Sequence, residues 1–418
     1  MAKKLFALED LENEISDVEM EVSPEEGEIA DVQAEVESEM GDIISTGDGI
    51  EDAAEAGDQL EEVGELVEGA EEGLDPVAAE AVRIAVEAIC SRLGADPKQM
   101  GMYHLYATEN FQSSSSRKAN TQIALEGIKD FLKELWEKIK NAVKSLWKKV
   151  TDFWAKHLSS LGRIKKALEA MKKKVASSKG TFKGTSILDK APSGLVSAFA
   201  GKKTINAEVV TSYIASHSAV SGVFQGVINK TSDTQLIVIK NSEAGAGVFK
   251  NIRDKVAGEA AEFGSKDAPL IGGVYYKYEF EVEEDKVTTN VTTETIDDVE
   301  TELKMIAGGK EDLSSVIAKT LVVIDNTIKV KGSMDKAGKE FDNHTSAIEQ
   351  LINKREGNKA FEGQTAQEVT KELRDKLNVI RSVNVGLLTF STKLVSADVK
   401  LAKAVLGFCA TSMKLYKD

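Results

Sequence analysis

Nine lysines raise the first chemical question: Lys140, Lys144, Lys148, Lys149, Lys165, Lys166, Lys172, Lys173 and Lys174 fall close together on one stretch of chain. An ammonium group is a compact charge that neutralises phosphate, and a row of them holds nucleic acid without reading its sequence, releasing counterions as it binds. The plainer reading is a solvated helix face. A second feature concerns a peptide bond that could be cut. Ala107-Thr108-Glu109 is followed by Asn110-Phe111-Gln112 and then Ser113-Ser114-Ser115-Ser116. Ala107 would fit a shallow protease pocket, Thr108 is unread, Glu109 supplies an acidic recognition group and Asn110 would begin the product. Such triplets recur, as in Ala53-Ala54-Glu55 and Ala78-Ala79-Glu80, so position carries the argument. This one sits where the chain changes electrical sign. It also follows the aromatic stretch Tyr103-His104-Leu105-Tyr106, and a triplet inside a packed helix would be protected by folding.

Other chemistry finds little support. The four histidines, His104, His157, His217 and His344, pair with no Cys, His or acid at metal-ligand spacing, so no metal site is expected. Cys90 and Cys409 are too few and too far apart in sequence to suggest a disulfide framework. Gly245-Ala246-Gly247 lacks the third glycine of a dinucleotide loop, and no phosphate-loop lysine or nucleophile elbow occurs. Neither a catalytic residue nor a cofactor is nominated, and the expectation is a protein that is not an enzyme.

Charge divides the chain into an acidic leader and a basic body. Of 69 acidic and 53 basic residues among 418, residues 1–109 hold 31 and five, so the leader carries −26 and the remainder +10. Residues 1–109 therefore read as a mostly disordered leader, because self-repulsion is strong and apolar area is scarce. Short helices are expected at 4–20 and after Asp75-Pro76, where an N-cap precedes a proline at the first helical position and Gly94 marks the end. Residues 110–179 combine a Ser-rich start with two basic amphipathic helices, separated near Ser159-Ser160-Leu161-Gly162. Ile128, Leu132, Leu135, Ile139, Leu146, Val150 and Phe153 form the apolar face of the first, widened by Trp136, Trp147 and Trp154.

Residues 180–300 read as mixed, with a β-hairpin at 273–296, where Val274 to Val282 alternates with period two and a Thr/Val-rich run follows. Residues 301–418 return to helical spacing, through Leu313, Val316, Ile317, Leu321 and Ile324, and again from Val369 and Leu373 towards Leu415. The fold class is α+β and predominantly α-helical: long helices, a small hairpin region and a largely disordered acidic leader. No apolar run approaches the length of a membrane span, and the first ten residues lack the apolar core of a secretory signal.

The order of acidic leader, small-x-Glu junction, Ser-rich start and helix resembles the internal head proteins of phiKZ-like giant bacteriophages. The helix is the part seen here as Ile123-Ala124-Leu125-Glu126-Gly127-Ile128-Lys129 through Trp147-Lys148-Lys149-Val150. The resemblance covers roughly 1–179. It implies a virion structural protein inside the capsid, made with a capsid-targeting propeptide that the prohead protease removes after Glu109. It also implies the capsid shell or scaffold, other internal head proteins and packaged DNA as partners, with association with the inner body and ejection alongside the DNA as further outcomes. Two other readings stand beside it. One is a membrane- or partner-binding pro-protein whose leader masks a basic Trp-bearing helix; the other is an injected effector with chemistry in 180–300.

Overall fold

A computed structural model describes residues 26–96, 111, 113–240, 246–256, 261–283, 286–296, 303–356 and 366–416. They fall into two compact units. Residues 44–146 group into the first, and residues 21–43 with 147–418 into the second.

The first unit is helical. It holds the later part of α1 (Glu26–Glu68), all of α2 (Pro76–Leu93) and the first part of α3 (Ser114–Ser177). The leader carries more helix than its composition suggests. Along α1, Ile50, Ala53, Gly57, Leu60, Gly64 and Val67 recur at alternating spacings of three and four and are buried, which is a heptad seam built largely of small residues. A β-carbon added at Gly57 would lie 3.3 Å from Leu135 and 3.6 Å from Trp136, and one at Gly64 would lie 3.4 Å from Ile128. Missing side chains thus let α1 come close to α3.

The helix foreseen after Asp75 forms as expected. Asp75 Oδ1 accepts the backbone N–H groups of Val77 and Ala78 at 2.9 and 2.8 Å, and Gly94 closes the helix in the left-handed region at φ 69°. The turn between α1 and α2 needs Gly73, at φ 82°, because a β-carbon there would meet the backbone of Arg117 at 2.6 Å. Next to it, the Leu74 N–H donates to Thr121 Oγ1 at 2.8 Å. On α3, Ala124, Leu125, Ile128, Phe131, Leu132, Leu135, Ile139 and Val143 are buried at helical spacing.

The second unit adds, in chain order, β1 (Ile187–Leu188), α4 (Ser193–Ala198), β2 (Thr204–Ile205), α5 (Ala207–Lys240), α6 (Ala246–Lys255), β3 (Ala261–Phe263), β4 (Val274–Val282), β5 (Val287–Thr295), β6 (Lys304–Ile306), α7 (Lys310–Glu356) and α8 (Ala366–Lys414). Its centre is α8, buried almost without interruption from Val379 to Val399 and flanked by α5 and α7. Its buried run takes in Arg381, Asn384, Lys393 and Asp398 beside apolar side chains, and enclosed polar groups need partners, as Asp398 has in His217 and Lys393 in Thr293.

The hairpin appears where alternation placed it: β4 and β5 pair antiparallel from Val274↔Thr295 to Val282↔Val287, and β3 adds to the other edge of β4. This sheet lies on α8. Thr289 Oγ1 donates to the Ser382 carbonyl at 2.7 Å over Gly386, where any β-carbon would collide with Thr289. Phe390 fills the layer between, its ring centroid 3.9 Å from Phe263 and 5.7 Å from Tyr278. A smaller sheet has the order β1-β6-β2, antiparallel on one side of β6 and parallel on the other.

Two further expectations change. Residues 120–176 form one helix rather than two, because Leu161, Ile164 and Leu168 continue the buried face past Gly162 and a single glycine costs a packed helix only about 1 kcal/mol. The chain 207–240, read only as part of a mixed region, is the long helix α5. The short helix expected at 4–20 lies outside the described residues.

Candidate nucleic-acid interface

The buried positions of α3 within the second unit, Val150, Phe153, His157, Leu161, Ile164, Leu168 and Val175, form one stripe. With 100° between successive residues, Lys148, Lys166 and Lys173 project along the line opposite that stripe. All three are exposed, as are Lys172 and Lys174 beside them and Lys144 in the first unit. Among the described residues these six lysines take part in no ion pair. The remaining three differ. Lys165 is held by Asp325 of α7 at 2.6 Å, a hydrogen bond that raises its amine above the ordinary lysine value. Lys140 pairs with Glu137 at 2.5 Å one turn away, and Lys149 is half-buried.

The tryptophans point inward. Trp154 is buried and stacks on Phe224 of α5 at 6.4 Å between centroids. Trp147 lies over Phe341 and Gly338 of α7, and in the first unit Trp136 lies over Gly57. Trp154 is thus part of the core, while Trp136 and Trp147 are half-buried, each with ring atoms packed against a glycine of a neighbouring helix. Among the described residues no helix is long and apolar enough to cross a membrane.

Leader acids reach into the body, a feature the sequence did not announce. Within the second unit Glu39 takes both Lys156, at 2.5 Å, and the buried His157, whose Nε2 lies 2.9 Å away, while Glu37 pairs with Lys400 at 2.7 Å. Burial alone would raise the Glu39 carboxyl. The hydrogen bonds and charges of Lys156 and His157 outweigh it and hold the group below its ordinary range. In the first unit Glu68 pairs with Lys129 at 3.5 Å.

The histidine most like a catalytic one is His217. Its Nδ1 meets Asp398 at 2.7 Å, and Thr327 donates to the other Asp398 oxygen at 2.5 Å. The Ile271 N–H donates to His217 Nε2 at 3.1 Å, which fixes the ring proton on Nδ1 and leaves no lone pair for a substrate. This buried trio ties α5, α7 and α8 together. Among the described residues no cluster of His, Cys, Asp and Glu could hold a metal ion. Ala107, Thr108, Glu109 and Asn110 lie outside the described residues.

What these elements define is a predominantly helical protein divided by charge. The chain belongs to the phiKZ-like phage internal head proteins, a family that matches it over residues 17–411, from within the leader to near the end of α8. It is therefore a structural protein located inside the virion capsid. No curated protein and no solved structure matches it.

Proposed function

We propose that the protein is made as a precursor, cut by the head-maturation protease between Glu109 and Asn110, and packed with the DNA as a basic product. The observation that carries this reading is on α3 in the second unit: Lys148, Lys166 and Lys173 lie along the line opposite the buried stripe, Lys172 and Lys174 are exposed beside them in sequence, and among the described residues none takes part in an ion pair. Losing residues 1–109 takes −26 from the chain and leaves +10, so an acidic molecule becomes one attracted to phosphate. Inside a filling head the lysines would displace counterions from DNA, while the leader addresses the precursor to the shell or scaffold during assembly. The packed tryptophans speak against the lipid-binding alternative.

Peptide mapping of the protein recovered from particles tests the cut: a start at Asn110 is expected, and an intact 1–109 overturns it. Gel-shift assays test the binding. Particle-derived protein is expected to bind duplexes of any sequence more tightly than the precursor. If about six phosphates are neutralised, affinity falls roughly 10³-fold between about 50 and about 200 mM salt. Replacing Lys144, Lys148, Lys166, Lys172, Lys173 and Lys174 by Gln should flatten that slope, and an unchanged slope would move the interface elsewhere.

A further inference from the structure

We infer that residues 26–96 of the leader form a helical subunit seated on the body, so that cutting the chain between residues 97 and 110 yields a two-chain complex and not a free leader. This deepens the maturation proposed above and takes its biological setting from it. The observations come from each unit separately. In the first, the side of α1 that meets α3 is the seam of Ala53, Gly57, Leu60 and Gly64, fitted to Ile128, Leu135 and Trp136 at distances that a larger side chain would block. The Gly73 turn lies against the Arg117 backbone, and Leu74 is hydrogen-bonded to Thr121. On α2, Val82, Val86, Ile89 and Leu93 are buried as well. In the second unit, Val36 and Ile43 are buried, and Glu39 is fixed by Lys156 and His157.

None of these contacts involves the bond to be cut. Hydrolysis there adds one water across a C–N bond, leaving the Glu109 backbone carboxylate on one chain and the Asn110 amine on the other. It changes the leader from a tethered to a free partner and so lowers its effective concentration, but it leaves the apolar fit intact. The −26 of the leader then stays beside the body after the cut. Release of the leader is the step that turns the protein basic, and gain of DNA affinity follows release and not cleavage.

The test uses the full chain with a site for a sequence-specific endoprotease inserted between residues 97 and 110, cut in solution and passed over a sizing column. The two pieces are expected to co-elute at the size of the uncut protein, both in dilute buffer and in about 1 M salt, where the Debye length is only about 3 Å. The cut complex should shift DNA no better than the uncut chain. Gly57→Phe with Gly64→Phe in the same background should release the leader on cutting, whereas Val77→Ser, at a position 80% exposed, should not. Separation of the wild-type pieces at either salt overturns the inference, and that result stands even if the double Phe variant fails to fold. Because the cut is engineered, a different start found in the particle-derived protein would refute the Glu109 site without touching this outcome.

Discussion

Glu39 shows how single residues bind a leader to a body. Its carboxyl is held below the unfolded value of 4.5, so its contribution to stability is complete above that value and fades as pH falls through the folded-state one. Glu39→Gln should cost about 1 kcal/mol at neutral pH, since the pair is partly exposed. The variant should also lose less stability than wild type on acidification, as thermal unfolding over a pH series would show. The thiols make a second residue-scale prediction. Burial, with Asp96 adding to it, pushes Cys90 up to about 11, and burial pushes Cys409 up to about 12, so neither should react with a thiol reagent at about pH 8 until the protein unfolds. Pairings of this kind were hidden in the sequence. Glu39 and His157 are 118 positions apart and His217 and Asp398 are 181, and nothing local to either partner names the other.

Elements were legible where local chemistry is strong. Asp75-Pro76 with Gly94 fixes α2 through its caps, and alternation fixes β4 and β5. The α1 helix was missed because hydrophobicity registers area, and Ala53, Gly57 and Gly64 contribute fit without area. The α5 helix was missed because its buried Val210, Ile214, Phe224 and Val227 keep helical spacing amid Ser, Thr and Gly, which are weak helix formers. Gly162 misled in the opposite direction by suggesting a break. Two substitutions separate these roles. Gly162→Ala, with nothing within 4 Å of the added methyl, should stabilise the protein by about 1 kcal/mol. Gly73→Ala, strained at positive φ and blocked by Arg117, should destabilise by about 1–3 kcal/mol, and hydrogen exchange should report the loss in α1 and α2.

For the whole molecule, the charge boundary does not coincide with a structural one. Residues on the acidic side of the junction pack with residues on the basic side in both units, through Gly57 and Leu135 in one and Glu39 and His157 in the other. Reading charge alone gives a detachable tail; reading burial gives an integral part of the fold. The family match, which begins inside the leader and runs nearly to the end, treats the same two parts as one protein.

The small-residue seam of α1 also limits what the leader can be borrowed for. Grafted alone onto a foreign cargo, residues 1–109 would leave Ile50, Leu60 and Val67 facing water, and such a chimera should be aggregation-prone or swiftly degraded. A graft of residues 1–146 carries its own covering helix. If the leader is the address that delivers proteins to assembling heads, the longer graft should deliver a soluble reporter more efficiently than the shorter, measured as reporter per purified particle; equal yields would mean that the address is read from an extended strand.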